Sequence, residues 1–382
     1  MTVEFRLGHR DHLVVEDALS AGLPGTSGIV LDLKAGARQT AAAAAAKRVG
    51  LDVLWDPATW RLATQGFVAE HCDYATGAAL GVEALILDKL AQRRLVHQVC
   101  QAHSPAVTRF IPPYVQITER QHAILNRDMA CMTQSVARVA VRPVVILNSQ
   151  AQISLVDDIA ADYAAAGLDY IELRVSPLGG EQVGPQKIHD VRAMLRTFRR
   201  RGVKVVLGMS GSIGHTLTAL GETDGYSVGV GMLESFDAAA RLNRQSKEYD
   251  TPSEASSGAQ PGVYLEPLGQ TMPKKAALKF LGPDAPTRVS FRCTHACCRD
   301  TINGPLLDPK KHYLHTRSAE AHLADERRQY GTHVAGERDR LRKVHTKRRA
   351  IALGNPHKPA PTRTLISLIA MADETLQAAD TA

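Results

Sequence analysis

Within six residues the chain places three thiols and an imidazole, Cys293-Thr-His295-Ala-Cys297-Cys298. Thiolate and imidazole at such spacing are the ligands of a tetrahedral zinc ion, and four protein ligands make the ion structural rather than catalytic. Cys293 and Cys298, with His295 or Cys297 as third ligand, form the expected set. Further histidines follow at 312, 315, 322 and 333, and His333 is the expected distal fourth, with His315 and His322 in reserve. Cys72, Cys100 and Cys131 are scattered. Met1–His12 lacks the apolar core of a secretory signal. The expectation is therefore a cytoplasmic protein whose clustered cysteines bind metal rather than form disulfides.

A second chemistry needs carboxylates that meet in one cavity, where burial and like-charge neighbours set which is acid and which is base. Asp32, Asp56, Glu172 and Glu266 each close a short apolar run, and Glu234 follows another. Asp56, then Asp32, then Glu172 is the expected order of catalytic importance. Lys34, Tyr114, Gln116, Asn148, Gln150, Arg174, Ser176 and Ser210-Gly211-Ser212 stand at similar run ends. The bland alternative for the aspartates is helix capping, and Asp56 before Pro57 reads as an ordinary helix start.

The elements that position these groups are eight apolar runs: 28–33, 51–55, 107–117, 143–148, 168–175, 203–209, 225–231 and 263–267. Helical stretches separate most of them, at 39–48, 81–97, 153–166, 186–201 and 213–221. Alternating runs and helices predict an α/β fold, a (β/α)8 barrel whose functional groups collect at the C-terminal strand ends. A doubly wound sheet competes, but no glycine-rich fingerprint follows the first run. The barrel is expected to span 1–270. Residues 246–262 read as a polar loop, and 271–382 as a C-terminal zinc-binding, basic helical subdomain. In that extension 326–349 holds nine Lys or Arg against three acids, 355–361 breaks the helix, and 364–377 forms a last amphipathic one.

The order of these features resembles the tRNA-guanine transglycosylase superfamily, over about residues 165–350. Cys293-x-His295-x-x-Cys298 is similar to that family's Cys-x-Cys-x-x-Cys motif. His312-Tyr313-Leu314-His315 resembles its next helix, and Gly331-Thr332-His333 the segment that brings the last zinc ligand. Asp169-Tyr170-Ile171-Glu172 through Gly179-Gly180-Glu181 looks like the strand and turn that contact the base. The resemblance implies zinc on Cys293, Cys297, Cys298 and His333, with His315 and His322 in reserve. It also implies base exchange on tRNA or DNA, in which a carboxylate attacks C1′ and a deazapurine replaces guanine. The stretch comparable to the family's nucleophile strand, 226–234, has no Asp, so Glu234 or Glu266 would have to serve.

Charge fits that reading. Lys and Arg number 46 against 39 acids, a net +7, and an arginine-rich helix suits phosphate contact. The partners expected are nucleic acid and a deazapurine base, with no membrane, since no apolar run nears the ~20 residues of a span. A homo-oligomer is compatible with all of this. Two rivals use the same residues: a non-catalytic zinc-stabilised nucleic-acid-binding barrel, and a barrel enzyme for a small-molecule substrate.

Overall fold

The computed structural model describes the chain apart from residues 1, 9, 104–105, 232–233, 251–261, 283–288, 290, 299–300, 302, 352–361 and 382. The expected helix break at 355–361 and most of the 246–262 loop lie outside the described residues; helix Ala238–Asp250 takes the loop's first part.

Ten parallel strand segments form the main sheet. They are β1 (Thr2–Arg6), β2 (Thr26–Asp32), β3 (Asp52–Asp56), β4 (Arg109–Phe110), β5 (Gln116–Ile117), β6 (Ala140–Val141), β7 (Val144–Asn148), β8 (Tyr170–Ser176), β9 (Lys204–Leu207) and β10 (Gly225–Gly229). β4 pairs with β6 and β5 with β7, so residues 109–117 and 140–148 are two neighbouring passages, each paired at both ends. Ten segments thus fill eight positions. β1 pairs with both β2 and β10, which closes the barrel.

The barrel's first strand is therefore β1, ahead of the expected first run. Val3 and Phe5 point outward to the helices, while Glu4 and Arg6 point inward and are buried. Strand residues alternate between faces, and charge on the inner face hides the apolar run that would have marked this strand. The run at 263–267 is correspondingly not a barrel strand. It supplies β11 (Gly262–Leu265), which forms an antiparallel hairpin with β12 (Gln270–Pro273).

The outer faces bury apolar side chains under the helices. Ile29, Leu31, Val53 and Trp55 pack with Val15, Ala42 and Ala46 on one side. Val145, Leu147, Ile171 and Leu173 pack with Ile159, Leu195 and Phe198 on the other. Each buried Val, Leu, Ile or Phe among them contributes about 1.5–3 kcal/mol. The alanine run at 41–46 sits in helix Thr40–Arg48, where its propensity is highest. The long helix expected at 81–97 is two helices, Val82–Leu87 and Lys89–Ala102. Asp88 is extended between them and its carboxylate accepts from the amides of Leu90 and Ala91, starting the second helix afresh.

Helix Pro309–Gln329 packs on β1 and beside helix His12–Ser20, in the place of the barrel's last outer helix. Its Tyr313 and Leu314 join the core that holds Phe5 and Val228. Helices His333–Ile351 and Arg363–Asp380 continue the apolar layer through Leu341, Val344, Leu365 and Leu368. The stretch expected as an appendage thus supplies part of the barrel wall.

Candidate active site and metal centre

Asp32 and Asp56 end neighbouring strands as direct register partners. Both line one cavity of about 150 Å³ at the C-terminal mouth of the barrel. Its floor is an ion network. Asp56 accepts from Arg6, from Arg174 at 2.7 Å, from the Tyr114 hydroxyl at 2.7 Å and from the Ala58 amide at 2.8 Å. Beneath it, Glu172 accepts from Arg174 at 2.7 Å, Arg6 at 3.0 Å and Arg142 at 3.2 Å, and Arg142 also grips Glu4. Three arginines balance three carboxylates, each with hydrogen bonds, which is the condition for tolerating buried charge.

Glu172 is therefore beneath the cavity and does not line it. Burial raises its pKa, but Arg174, Arg6 and Arg142 overcome that and hold it down at about 2. Burial likewise opposes the charge on Asp56, and Arg174 and Arg6 more than offset it, so Asp56 lies well below the ordinary carboxylate range. Asp32 goes the other way. Burial raises it and the charge of Asp56 adds to the rise, against a hydrogen bond from the Lys34 amide. Asp56, with its oxygens occupied, positions its neighbours. Of the two, Asp32 is the carboxyl shifted toward its neutral form.

Lys34, Arg61 and Arg241 complete the walls. Arg241 descends from helix Ala238–Asp250, which is anchored when the Ala238 amide donates to the Ser176 hydroxyl at 2.9 Å. Ala58 and Met209, also in the lining, hold φ of 47° and 52°. Left-handed backbone at non-glycine residues stores strain, and strain concentrates at functional sites. The sequence reading missed Arg6, Arg61 and Arg241. Arg6 was hidden with its strand, and the other two lie in connections rather than at strand ends.

Glu234 and Glu266 do not line this cavity. Glu234 accepts from the Tyr313 hydroxyl at 2.6 Å, and Glu266 lies 3.3 Å from His295 Nε2.

That last pair borders the second site. Cys293, Cys297, Cys298 and His312 bring their ligand atoms within 4.8 Å of one another. Cys297 Sγ lies 3.6 Å from Cys298 Sγ, which lies 3.5 Å from His312 Nδ1. With Zn–S near ~2.3 Å and Zn–N near ~2.0 Å, the edges of a zinc tetrahedron are about 3.8 and 3.5 Å. His312 Nε2 meets the Tyr264 carbonyl at 2.8 Å. Donation there places the proton on Nε2 and leaves the Nδ1 lone pair for a metal. Crowding sets the thiols against each other: hydrogen bonds from Cys297 and Cys298 lower Cys293, and those same bonds, with burial, push Cys297 up to about 12 and Cys298 higher still. A cation among them lets all three ionise.

The expectation of His333 as distal ligand is corrected: among the described residues the fourth member is His312. Its helix starts at Pro309 and turns the first-turn imidazole onto the thiols. His333 lies beyond the far end of that 21-residue helix, about 30 Å along its axis. His295 faces Glu266, and His322 pairs with Glu326 at 3.5 Å. His315 stands beside the cluster but outside it.

No protein-family model matches the chain, and no curated protein does. Among solved structures it is similar to QR15, an aldolase, with a TM-score of 0.35 and 11% identity over 64% of this chain and 96% of that one. It is also similar to 3-dehydroquinate dehydratase from Enterococcus faecalis, with a TM-score of 0.37 and 10% identity over 65% of this chain and 93% of that one. A mutant tryptophan synthase alpha-subunit from Pyrococcus furiosus gives 0.34 and 11%, over 65% and 96%. The barrel assignment stands on the strand register itself.

The basic helix is less free than its composition suggests. Arg340 pairs with Glu337 at 2.7 Å and Arg342 with Asp373 at 2.8 Å. Arg348 is buried, donating to the Leu268 carbonyl at 2.7 Å and to Glu181 at 2.9 Å. Lys343 and Arg349 remain exposed. Among the described residues no helix is long and apolar enough to cross a membrane.

Proposed function

We propose that the chain is a barrel enzyme for a small-molecule substrate, with the mouth cavity as its active site and Asp32 as general acid and base. The observation that carries this is the opposite polarisation of two register partners in one cavity. Asp56 is held ionised and its neighbour Asp32 is pushed toward the neutral form, the division by which paired carboxyls take separate roles. Ionised Asp56 and its arginines keep the floor rigid, and Asp32 exchanges a proton with substrate. The test is a product screen by mass spectrometry over a library of carboxylated and phosphorylated metabolites. Turnover by the wild type that disappears in Asp32→Asn supports the reading; turnover indifferent to that change rejects it.

We propose zinc as the metal of Cys293, Cys297, Cys298 and His312, in a structural role. All four protein positions are supplied, and the cluster ties hairpin β11–β12 to helix Pro309–Gln329 through the His312–Tyr264 contact.

Base exchange on tRNA or DNA is the second reading. Two carboxylates share a cavity, and exposed Lys343 and Arg349 lie on the basic helix. It requires Asp56 to release its arginines to attack C1′. Incorporation of labelled guanine into tRNA or DNA supports this reading over the first.

A further inference from the structure

We propose that the mouth cavity binds a small oxyanion, a phosphate or carboxylate group of the substrate, between Lys34, Arg61 and Arg241. This rests on the mouth being the active site.

Five cations line the cavity against two acids. Arg6 and Arg174 are neutralised by Asp56 and Glu172. Among the described residues, no carboxylate lies within 4 Å of Lys34, Arg61 or Arg241 in an ion pair. Asp32 and Glu248 reach Lys34 and Arg61 only through longer-range fields. Elsewhere arginines at the surface of the barrel have found partners: Arg192 and Arg196 share Glu222, and Arg201 holds Asp157. Here the chain leaves cations facing one another.

The two guanidinium groups are also built into place. Arg61 lies over the Phe67 ring at 4.5 Å and donates its Nε to Gln245 at 2.8 Å. Arg241 lies over Phe236 at 5.1 Å and donates Nη2 to the Ser235 carbonyl at 3.1 Å. Stacking holds each plane, with one hydrogen bond on Arg61 and a second on Arg241, whose Nη1 meets Met209 Sδ at 3.5 Å; N–H groups remain on each for a ligand, and a planar fork so held matches the two oxygens of a carboxylate or phosphate. Burial, then Arg174, Arg6 and Arg61, push Arg241 down to about 10. An anion relieves that repulsion. The cavity, at about 150 Å³, admits a small charged group and excludes a folded polymer. Asp32 on the same wall is placed to move a proton on whatever carries that group.

Isothermal titration of the full chain with inorganic phosphate, and separately with malonate, tests the proposal. We expect saturable one-to-one binding to at least one of them, tighter phosphate marking a phosphoryl substrate and tighter malonate a carboxylate. Arg241→Gln and Arg61→Gln should each weaken it at least tenfold, with circular dichroism confirming that both variants fold. Lys279→Gln, an exposed change outside the cavity, should not alter it. Absence of saturable binding to either anion, or affinity unmoved in folded Arg241→Gln, overturns the proposal. Turnover lost in Asp32→Asn without oxyanion binding would sink this inference alone. Oxyanion binding with turnover indifferent to Asp32→Asn supports it and removes the acid–base reading instead.

Discussion

Asp32 and Asp56 are paired across adjacent parallel strands, yet one carboxyl is pushed up and the other down. Two arginines and a tyrosine hydroxyl reach Asp56, whereas Asp32 receives the Lys34 backbone amide. A carboxyl raised in the fold is favoured neutral. Its contribution is fully present below its ordinary value of 3.8 and is lost as pH rises through the raised one. Asp32→Asn should therefore raise the melting temperature at pH 7 and leave it unchanged at pH 3. Calorimetry showing a lower melting temperature at pH 7 would refute the account.

Glu172 shows the opposite sign. Its pKa is held at about 2, so the stability it brings is present above the ordinary 4.5 and drains away as pH falls toward 2. Glu172→Gln leaves Arg6, Arg142 and Arg174 short of an anion and should cost about 3–5 kcal/mol at pH 7. Gly208→Ala should cost comparably, because a Cβ there falls 2.5 Å from Glu172 Oε1 and 2.8 Å from Arg174 Cγ. Urea denaturation measures both; a loss under ~1 kcal/mol in each would mean the network is dispensable.

Purified protein should carry one equivalent of zinc. His312→Ala and Cys298→Ser should lose most of it, and His333→Ala should keep it. Gly304→Ala should also impair loading, since its Cβ would sit 2.8 Å from Cys298 Sγ. Elemental analysis separates these outcomes, and full occupancy in His312→Ala would contradict the assigned ligand.

The basic helix divides by burial. Arg348→Glu places a carboxylate among the Leu268 carbonyl and Glu181, and should unfold the local structure. Lys343→Glu and Arg349→Glu, on the exposed face, should leave folding intact. If a polyanion binds there, each should flatten the salt dependence of binding by about one unit for every phosphate no longer neutralised. Binding to DNA that ignores both changes would place the polyanion surface elsewhere.

The mouth was legible where apolar runs ended in acids. Asp32 and Asp56 stand out as candidates because Ile29–Leu31 and Val53–Trp55 announce their strands. β1 was illegible because Glu4 and Arg6, its inward residues, belong to the ion network, and alternation with charge looks like surface. The three thiols were legible from spacing alone. The fourth ligand was not, since six histidines follow Cys298 and only the start of a helix at Pro309 decides which faces the cysteines. Arg61 and Arg241 left no local mark: they converge from sequence positions 180 apart, and only closure of the barrel brings them together.

The pairing of β1 with β10 has a temporal consequence. Thr2 finds its partner only when Gly225 has been synthesised, roughly 10–45 s later at ~5–20 residues per second. Its outer face waits longer still, for Tyr313 and Leu314. Until then the nascent chain carries an unclosed sheet edge and a charged strand whose counter-charges, Arg142 and Glu172, arrive midway. Glu4 and Arg6 make that edge hydrophilic during the wait, and inward-pointing charge is one of the ways a bare sheet edge is kept from pairing with another chain.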